Sequence, residues 1–476
     1  MISVAFCGLK QFCNFAFIQK THGGKGPLRP RFDTLPSTPN LRRTILQLPG
    51  KTLDSIAPRD SSPEAALPDV HHAQAAQSQR ILWFSTVNFT LLFAVWLMFA
   101  VLGVPIQKEM GLSDVQLGWL TAVPLLNGAI WRLHFGIWAD RIGGKKLLTG
   151  LMLFTAIPVF AVAFVQNFAQ LLAAAFFIGF AGNAFSVGVS WNSAWFPRER
   201  QGYALGLFGA GNVGASITKL GAPALLAALP AAGFLGFVGW RAIPPVYAVL
   251  LVALALWMWF ATPKADKTPA QNRPFRDLMA PLRRVQVWRF SLYYVVVFGA
   301  YVALSSFLPK YLVNVYDLDL KTAGFLTAIF IFPASLLRPL GGYLSDKLGA
   351  RGLMYLTFVL MIFACAVLSA VVPPLWVFTT FLFFVGVAMG IGKAAVFRFI
   401  PSYYPNEVGA VGGLVGALGA LGGFFLTFVF AYAVQITHIK QSAFLIVGFI
   451  SIICLIWFHL SVLGLKRRAL EALAVK

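Results

Sequence analysis

Residues Trp131–Gly144 read "WRLHFGIWADRIGG". Arg132 stands inside an apolar run that starts near Leu117, eight residues before the carboxylate of Asp140. If this run is a helix, the arginine lies about 12 Å in from that charged end. In a hydrocarbon core of about 30 Å that depth is close to the midplane. A cation there must be answered by something, and what answers it decides what the chain does.

The rest of the chain says that the run is indeed a membrane span. The 476 residues are 58% hydrophobic and only 11% charged, with a mean hydropathy of +0.76. So few charges cannot cover a water-exposed surface. Apolar stretches of roughly 20 residues recur, each long enough to cross as a helix. They are apolar on every face, unlike the short alternating segments of a barrel. After Arg80 twelve spans are expected, at about 81–103, 117–138, 147–165, 169–193, 203–227, 242–261, 288–309, 323–344, 353–371, 375–397, 408–433 and 442–464. The fold class is therefore an all-α membrane protein with twelve transmembrane helices in two six-helix bundles.

The bundles occupy residues 81–262 and 288–465, joined by a polar linker at 263–287. Residues 1–80, rich in Pro, Ser, Gln and Arg, read as a disordered N-terminal tail. Their weakly apolar start, "MISVAFCGLKQFCNFAFIQK", is interrupted by Lys10 and has no clean cleavage site; a targeting segment and an over-extended gene start explain it equally well. Residues 466–476 form a short C-terminal tail. The net charge of +22 comes from basic residues in loops. "DRIGGKK", "PRER", the linker, "DKLGAR" and "KRR" all fall on one side, as the positive-inside rule asks of the cytoplasmic face. Both termini are thus expected in the cytoplasm, in a bacterial inner membrane. A charge distributed this way does not indicate nucleic acid. Cys7, Cys13, Cys365 and Cys454 lack metal spacing, so neither a metal site nor a cofactor is expected.

The opening stretch recurs. Arg132-x3-Gly136-x3-Asp140-Arg141-x-Gly143 is matched by Arg338-x3-Gly342-x3-Asp346-Lys347-x-Gly349, 206 residues later throughout. Equivalent motifs in two halves imply two bundles related by an axis along the membrane normal. The loop "G-x3-D-R-x-G-G-K-K" between the second and third spans resembles the signature of the major facilitator superfamily. That resemblance implies alternating access. It also implies that Asp140, Arg141, Asp346 and Lys347 form a conformational latch and not a substrate site; a plain salt bridge at a helix end is the alternative.

Arg132 and Arg338 then share one depth. An unpaired arginine at mid-bilayer costs roughly 3 kcal/mol on insertion scales, and more by other measures. Apart from loop and helix-end positions such as Glu109, Asp114, Asp140, Asp346 and Glu407, the expected spans contain no acid. The missing negative charge is best supplied by cargo. Forked guanidinium donors suit a planar oxyanion such as nitrate, nitrite or a carboxylate. Lys219 and Lys393 add to the positive field and are candidates for proton coupling, although a buried lysine can also shed its charge. His134, on another helix face from Arg132, reads first as a packing residue and second as a proton carrier.

Glycines spaced by three and four fill "GYALGLFGAGNVGASITKLGAP" and "GAVGGLVGALGALGGFF", the fifth span of each half. They let helices approach closely and slide. "GLFGAGNVG" and "GIGKAAVFRFIPSYYPNEVGAVGGLVGALGALGGFF" resemble the two nitrate signatures of NarK-type nitrate/nitrite porters, a resemblance that covers residues 81–465. It implies that the paired arginines of that family are Arg132 and Arg338 and its signature asparagine is Asn212. Phe185 and Phe298 would sandwich the anion, with Tyr294 close by. "GKAAV…R…IP…YYP" is more similar to the subgroup associated with proton-coupled nitrate uptake than to the exchangers. The implied partners are nitrate or nitrite, protons and the lipid bilayer, with the monomer as the working unit. A porter for formate or oxalate is the alternative. No nucleophile–base pair or phosphate-cradling loop points to an enzyme.

Overall fold

The structure is a computed structural model that describes residues 67–218, 236–370 and 372–474. Lys219, the end of the fifth expected span and the tail up to residue 66 lie outside the described residues. The regular elements are helices. Among the described residues, eight stretches are long and apolar enough to cross a membrane.

That number differs from twelve for local reasons. The first expected span is cut by a turn at residues 97–98, between the helices Leu67–Trp96 and Phe99–Met110. The second, broken at Trp131 between Asp114–Ile130 and Arg132–Ile142, is not among the eight, whereas the run that holds the equivalent break at Leu337 is. The fifth runs past residue 218. The eighth and ninth belong to one helical run, Thr322–Ala370. A further difference is at the start, where helix Leu67–Trp96 includes residues expected to be disordered. "HHAQAAQSQR" is rich in Ala and Gln, good helix formers, and runs straight into the apolar span.

The sequence repeat is a structural repeat. Arg132 and Arg338 each open a new helix after a one-residue break, at Trp131 and at Leu337. A proline lies upstream in each preceding helix, Pro124 and Pro333. Interior proline removes one backbone donor and bends a helix. Gly143 and Gly349 then both take positive φ, +92° and +88°. That region is open to glycine at little cost and explains why the motif ends on one.

The two halves of the chain meet along paired seams. Helix Arg132–Ile142 packs along Val408–Thr437, and Gln201–Gly209 packs along Arg338–Leu344. Glycine faces glycine at each seam. A Cβ on Gly136 would strike the carbonyl of Gly409, and one on Gly342 would strike that of Gly202. Both contacts lie toward the face of the molecule that carries the 263–284 linker, and there the halves are shut against each other. Gly136→Val is therefore expected to reduce transport at least about tenfold with folded protein still present, read as flux per correctly folded molecule in proteoliposomes. Gly118→Ala, whose Cβ meets nothing within 4 Å, should transport normally. Equal flux from both variants would show that the glycine seam is not part of the cycle.

Candidate functional site

The two arginines are among the largest fully buried side chains, 1% and 0% exposed. Neither guanidinium reaches the surface of the molecule. Arg132 Nε donates to Gly128 O at 3.0 Å, the carbonyl one turn earlier, and Nη1 donates to Gly416 O at 3.0 Å. Gly416 belongs to the other half of the chain, so this guanidinium already bridges the seam. Its partners are neutral dipoles, not counter-charges. Arg338 is poorer still: its Nε and Nη1 have no hydrogen-bond partner. The guanidinium lies against Gly209, where any Cβ would collide with it. Each unpartnered buried donor costs on the order of 1–3 kcal/mol, more on a charged group.

An aromatic stack separates and covers these charges. The Phe185 ring lies 5.7 Å from Arg132 Cζ and 5.5 Å from Arg338 Cζ. The two guanidinium carbons are therefore no farther apart than these two distances laid end to end. Phe185 stacks on Tyr294 at 6.3 Å and 14°, and Tyr294 stacks on Phe298 at 5.0 Å and 9°. Phe298 in turn lies 6.0 Å from Arg132 Cζ. Cation–ring attraction offsets part of the desolvation of the cations, roughly 2 kcal/mol at best per desolvated pair. It leaves the directed N–H donors unused, because a ring face accepts them weakly.

Helix geometry delivers these groups. Tyr294 closes the helix Val285–Tyr294 and is followed by a π-helical turn, Val295–Gly299, that contains Phe298. Such turns are frequent at functional positions. Asn212 sits in a 3₁₀ turn, Ala210–Val213, one turn beyond Gly209; it is 1% exposed and its Nδ2 has no partner. Thus the chain presents unused donors from Arg338 and Asn212, with flat rings beside them. A planar oxyanion has the acceptors and the shape for this arrangement.

Lys393 belongs to the same cluster. It is fully buried, its Nζ donates to Ala334 O at 3.1 Å and lies 3.2 Å from the centroid of Tyr301. Phe298 is 5.7 Å from the same nitrogen, so this ring has Arg132 on one approach and Lys393 on another. His134 is not in this group. Its ring contacts are Trp131 and Trp138, at 5.2 and 6.3 Å, and Trp138 is partly exposed. Three members had no mark in the sequence: Trp96, 5.2 Å from Arg132 Cζ, Phe397, edge-on to both Phe185 and Tyr294, and Tyr301. Their places come from tertiary packing, and for Tyr301 also from the π-helical turn Val295–Gly299 that separates it from Tyr294.

The four residues of the loop motif do different things. Asp140 accepts from Ser190 Oγ within its own half and from Gly409 N, at 2.8 Å, in the other. Asp346 accepts from Gly202 N at 3.1 Å, Tyr203 N at 2.8 Å and Arg398 Nε at 2.6 Å. Each carboxylate thus sits at the N-terminal end of a helix of the opposite half, where free N–H groups and the helix dipole favour an anion. Arg141 and Lys347 are more exposed, and Lys347 Nζ lies 6.0 Å from the Tyr343 ring.

The sequence profile of the Major Facilitator Superfamily matches residues 84–427 and, in a second match, 317–473. Over 415 residues, 83% of this chain and 94% of the relative, the chain is 55% identical to the probable nitrate/nitrite antiporter NarK1 of Thermus thermophilus. The chain belongs to the NarK-type nitrate/nitrite porter family of this superfamily. It is an integral membrane transporter and not an enzyme. Within the family it is also 31% identical over 375 residues to the nitrite extrusion protein of Bacillus subtilis (strain 168), covering 77% of this chain and 91% of that one. In fold it is similar to the human organic anion transporter MFSD10, with a TM-score of 0.64 at 15% identity over 80% of this chain and 99% of that one. The Escherichia coli fucose:proton symporter FucP gives 0.61 at 16% identity, covering 79% and 98%.

A site with three buried cations and no buried acid should be strained when empty. Replacing Lys393 by the similarly sized Met is expected to raise the melting temperature of the anion-free protein by a few degrees, since it removes the desolvation cost of a buried charge that has no counter-ion. A lower melting temperature in scanning fluorimetry would mean that the lysine charge is compensated.

Proposed function

We propose that the chain carries nitrate and nitrite across the bacterial inner membrane by alternating access, with proton-coupled nitrate uptake favoured over strict exchange. The carrying observation is the pair of buried guanidiniums, Arg132 and Arg338, with no acidic partner and with unused donors on Arg338. In this reading the anion is gripped at its edge by Arg132, Arg338 and Asn212, while Phe185, Tyr294 and Phe298 exclude water from its faces. Residues 81–262 and 288–465 act as two bundles that rock about this site within a monomer. The linker face is cytoplasmic, in keeping with its basic loops, and both termini lie there. Asp140 and Asp346 latch the cytoplasmic side, each by holding the start of a helix in the other bundle, with Arg141 and Lys347 as the exposed members of the motif.

Coupling to protons needs a group that titrates, and the site has no carboxylate. Lys393 beside Phe298 and Tyr301 is the coupling group that the geometry favours. Lys219 and His134 are the other candidates. Neutralising Lys393 would let the empty carrier reorient with less positive charge in its centre, which exchange alone does not require. Transport by Lys393→Met should therefore lose much of its pH dependence; a variant as pH-dependent as the parent would count against this role.

Proteoliposomes separate the two modes. Nitrate entry driven by an imposed pH gradient into vesicles without nitrite indicates symport, whereas entry that needs internal nitrite and ignores the gradient indicates exchange. Arg132→Lys and Arg338→Lys keep the charge and lose the fork. Each is expected to weaken nitrate binding at least about tenfold by titration calorimetry, and normal binding by either would rule out the planar grip.

A further inference from the structure

The linker between the halves is not a loose tether. Helix Ile243–Ala261 ends and the chain turns back under the first half, where Lys145 Nζ donates to Thr262 O at 3.0 Å and Pro263 O at 2.9 Å. The carboxylate of Asp266 then collects three donors of that half. Oδ2 accepts from Lys145 N at 2.9 Å, and Oδ1 accepts from the indole N–H groups of Trp191 at 2.9 Å and Trp195 at 3.0 Å. Gly143 leaves the space for it; a Cβ there would meet Asp266. A polar group so fully used holds its segment in one place.

The next residues cross the seam. Ala270 N donates at 3.0 Å to the carbonyl of Asp140, the residue whose carboxylate holds Gly409 N. Ala270 and Leu278 are fully buried in a small apolar cluster with Ile137 of the first half and Ala410 of the second. Arg273 forms an ion pair with Glu407, the residue just before helix Val408–Thr437. The attachments are unequal. Up to Leu278 the first half holds the linker by charged and indole hydrogen bonds, and the second holds it by the Arg273–Glu407 ion pair and a contact at Ala410; beyond that the chain joins the second half, where Trp288 Nε1 donates to Leu282 O at 2.9 Å and Ala280–Arg283 packs on Val408–Thr437.

We infer that residues 263–278 are a strap that keeps the linker-side gate shut, with Asp266 as the positioning residue that fixes it to the first half. To open this face, Gly136 and Gly409 must part, and Ala270 and Leu278 lie across the same seam. The strap travels with the first half, where its stronger bonds are, and leaves Glu407 and Ala410. Loosening either end therefore biases the cycle toward the open linker face without touching the anion site. The inference rests on the alternating-access reading and not on which anion is carried.

The test uses the full chain with Cys7, Cys13, Cys365 and Cys454 replaced by alanine and a reporter, Ala410→Cys, in the buried cluster. Maleimide labelling of the reporter in proteoliposomes reads how often the strap lifts. Asp266→Ala and Glu407→Gln are each expected to speed labelling about tenfold or more, and the double swap Arg273→Glu with Glu407→Arg should return it to the parent rate. The shift in melting temperature caused by nitrate should be the same in all of them, which separates a positioning role from general damage. Labelling that stays at the parent rate in both single variants overturns the strap. So does faster labelling that comes only with loss of the nitrate shift. If nitrate shifts not even the parent, the anion assignment fails, while the labelling comparison still decides the strap.

Discussion

The organising constraint is electrostatic. Two guanidiniums are held out of water with backbone carbonyls and ring faces for company and no acid within reach. Left alone, such charges cost several kcal/mol, and the protein has not neutralised them with a resident carboxylate. A resident acid would make a stable core and a dead carrier. In the proposed reading its absence lets a visiting anion complete the set of interactions and become part of the structure that moves.

The same economy of acids appears at the seams, with opposite purpose. The carboxylates placed near the linker face, Asp140 and Asp346, are used across the halves, each on backbone N–H groups of the other. Glycine pairs beside them bring the backbones into contact. Asp140 and its bond to Gly409 are buried in this closed arrangement, so parting the seam would have to expose both to water. In the proposed cycle, charge that must stay is thus in the middle, and charge that must let go is at the edge.

Much of this could be read from residues alone because it depends on identity and spacing. The 206-residue repeat gave the equal depth of the arginines, the paired carboxylates and the closing glycines, and Gly143 and Gly349 do share a positive φ. The missing acids were visible by simple inspection of the spans. What spacing does not carry is which of many phenylalanines meet at the centre. Phe397 and Trp96 join the cluster through tertiary packing that brings distant helices together. The helix breaks at Trp131 and Leu337 were hidden inside uniformly apolar runs. The linker reads as polar tether by composition, yet a few residues in it, Asp266, Ala270 and Leu278, are bound tightly. Residues 67–80 are polar yet helical, because helix propensity prevails there over polarity.

The most direct measurement supplies the acid that the site lacks. Asn212 follows Gly209, which touches the Arg338 guanidinium, by one turn on the same helical segment. The melting temperatures of wild type and Asn212→Asp, each with and without nitrate, compare a resident anion with a visiting one. At a nitrate concentration one hundred times the dissociation constant, the wild type should gain about 2.7 kcal/mol. The Asn212→Asp protein should melt higher than the wild type when both are anion-free, and nitrate should then add nothing. An aspartate variant that is destabilised, or that still gains stability from nitrate as the wild type does, would contradict the electrostatic basis of the site.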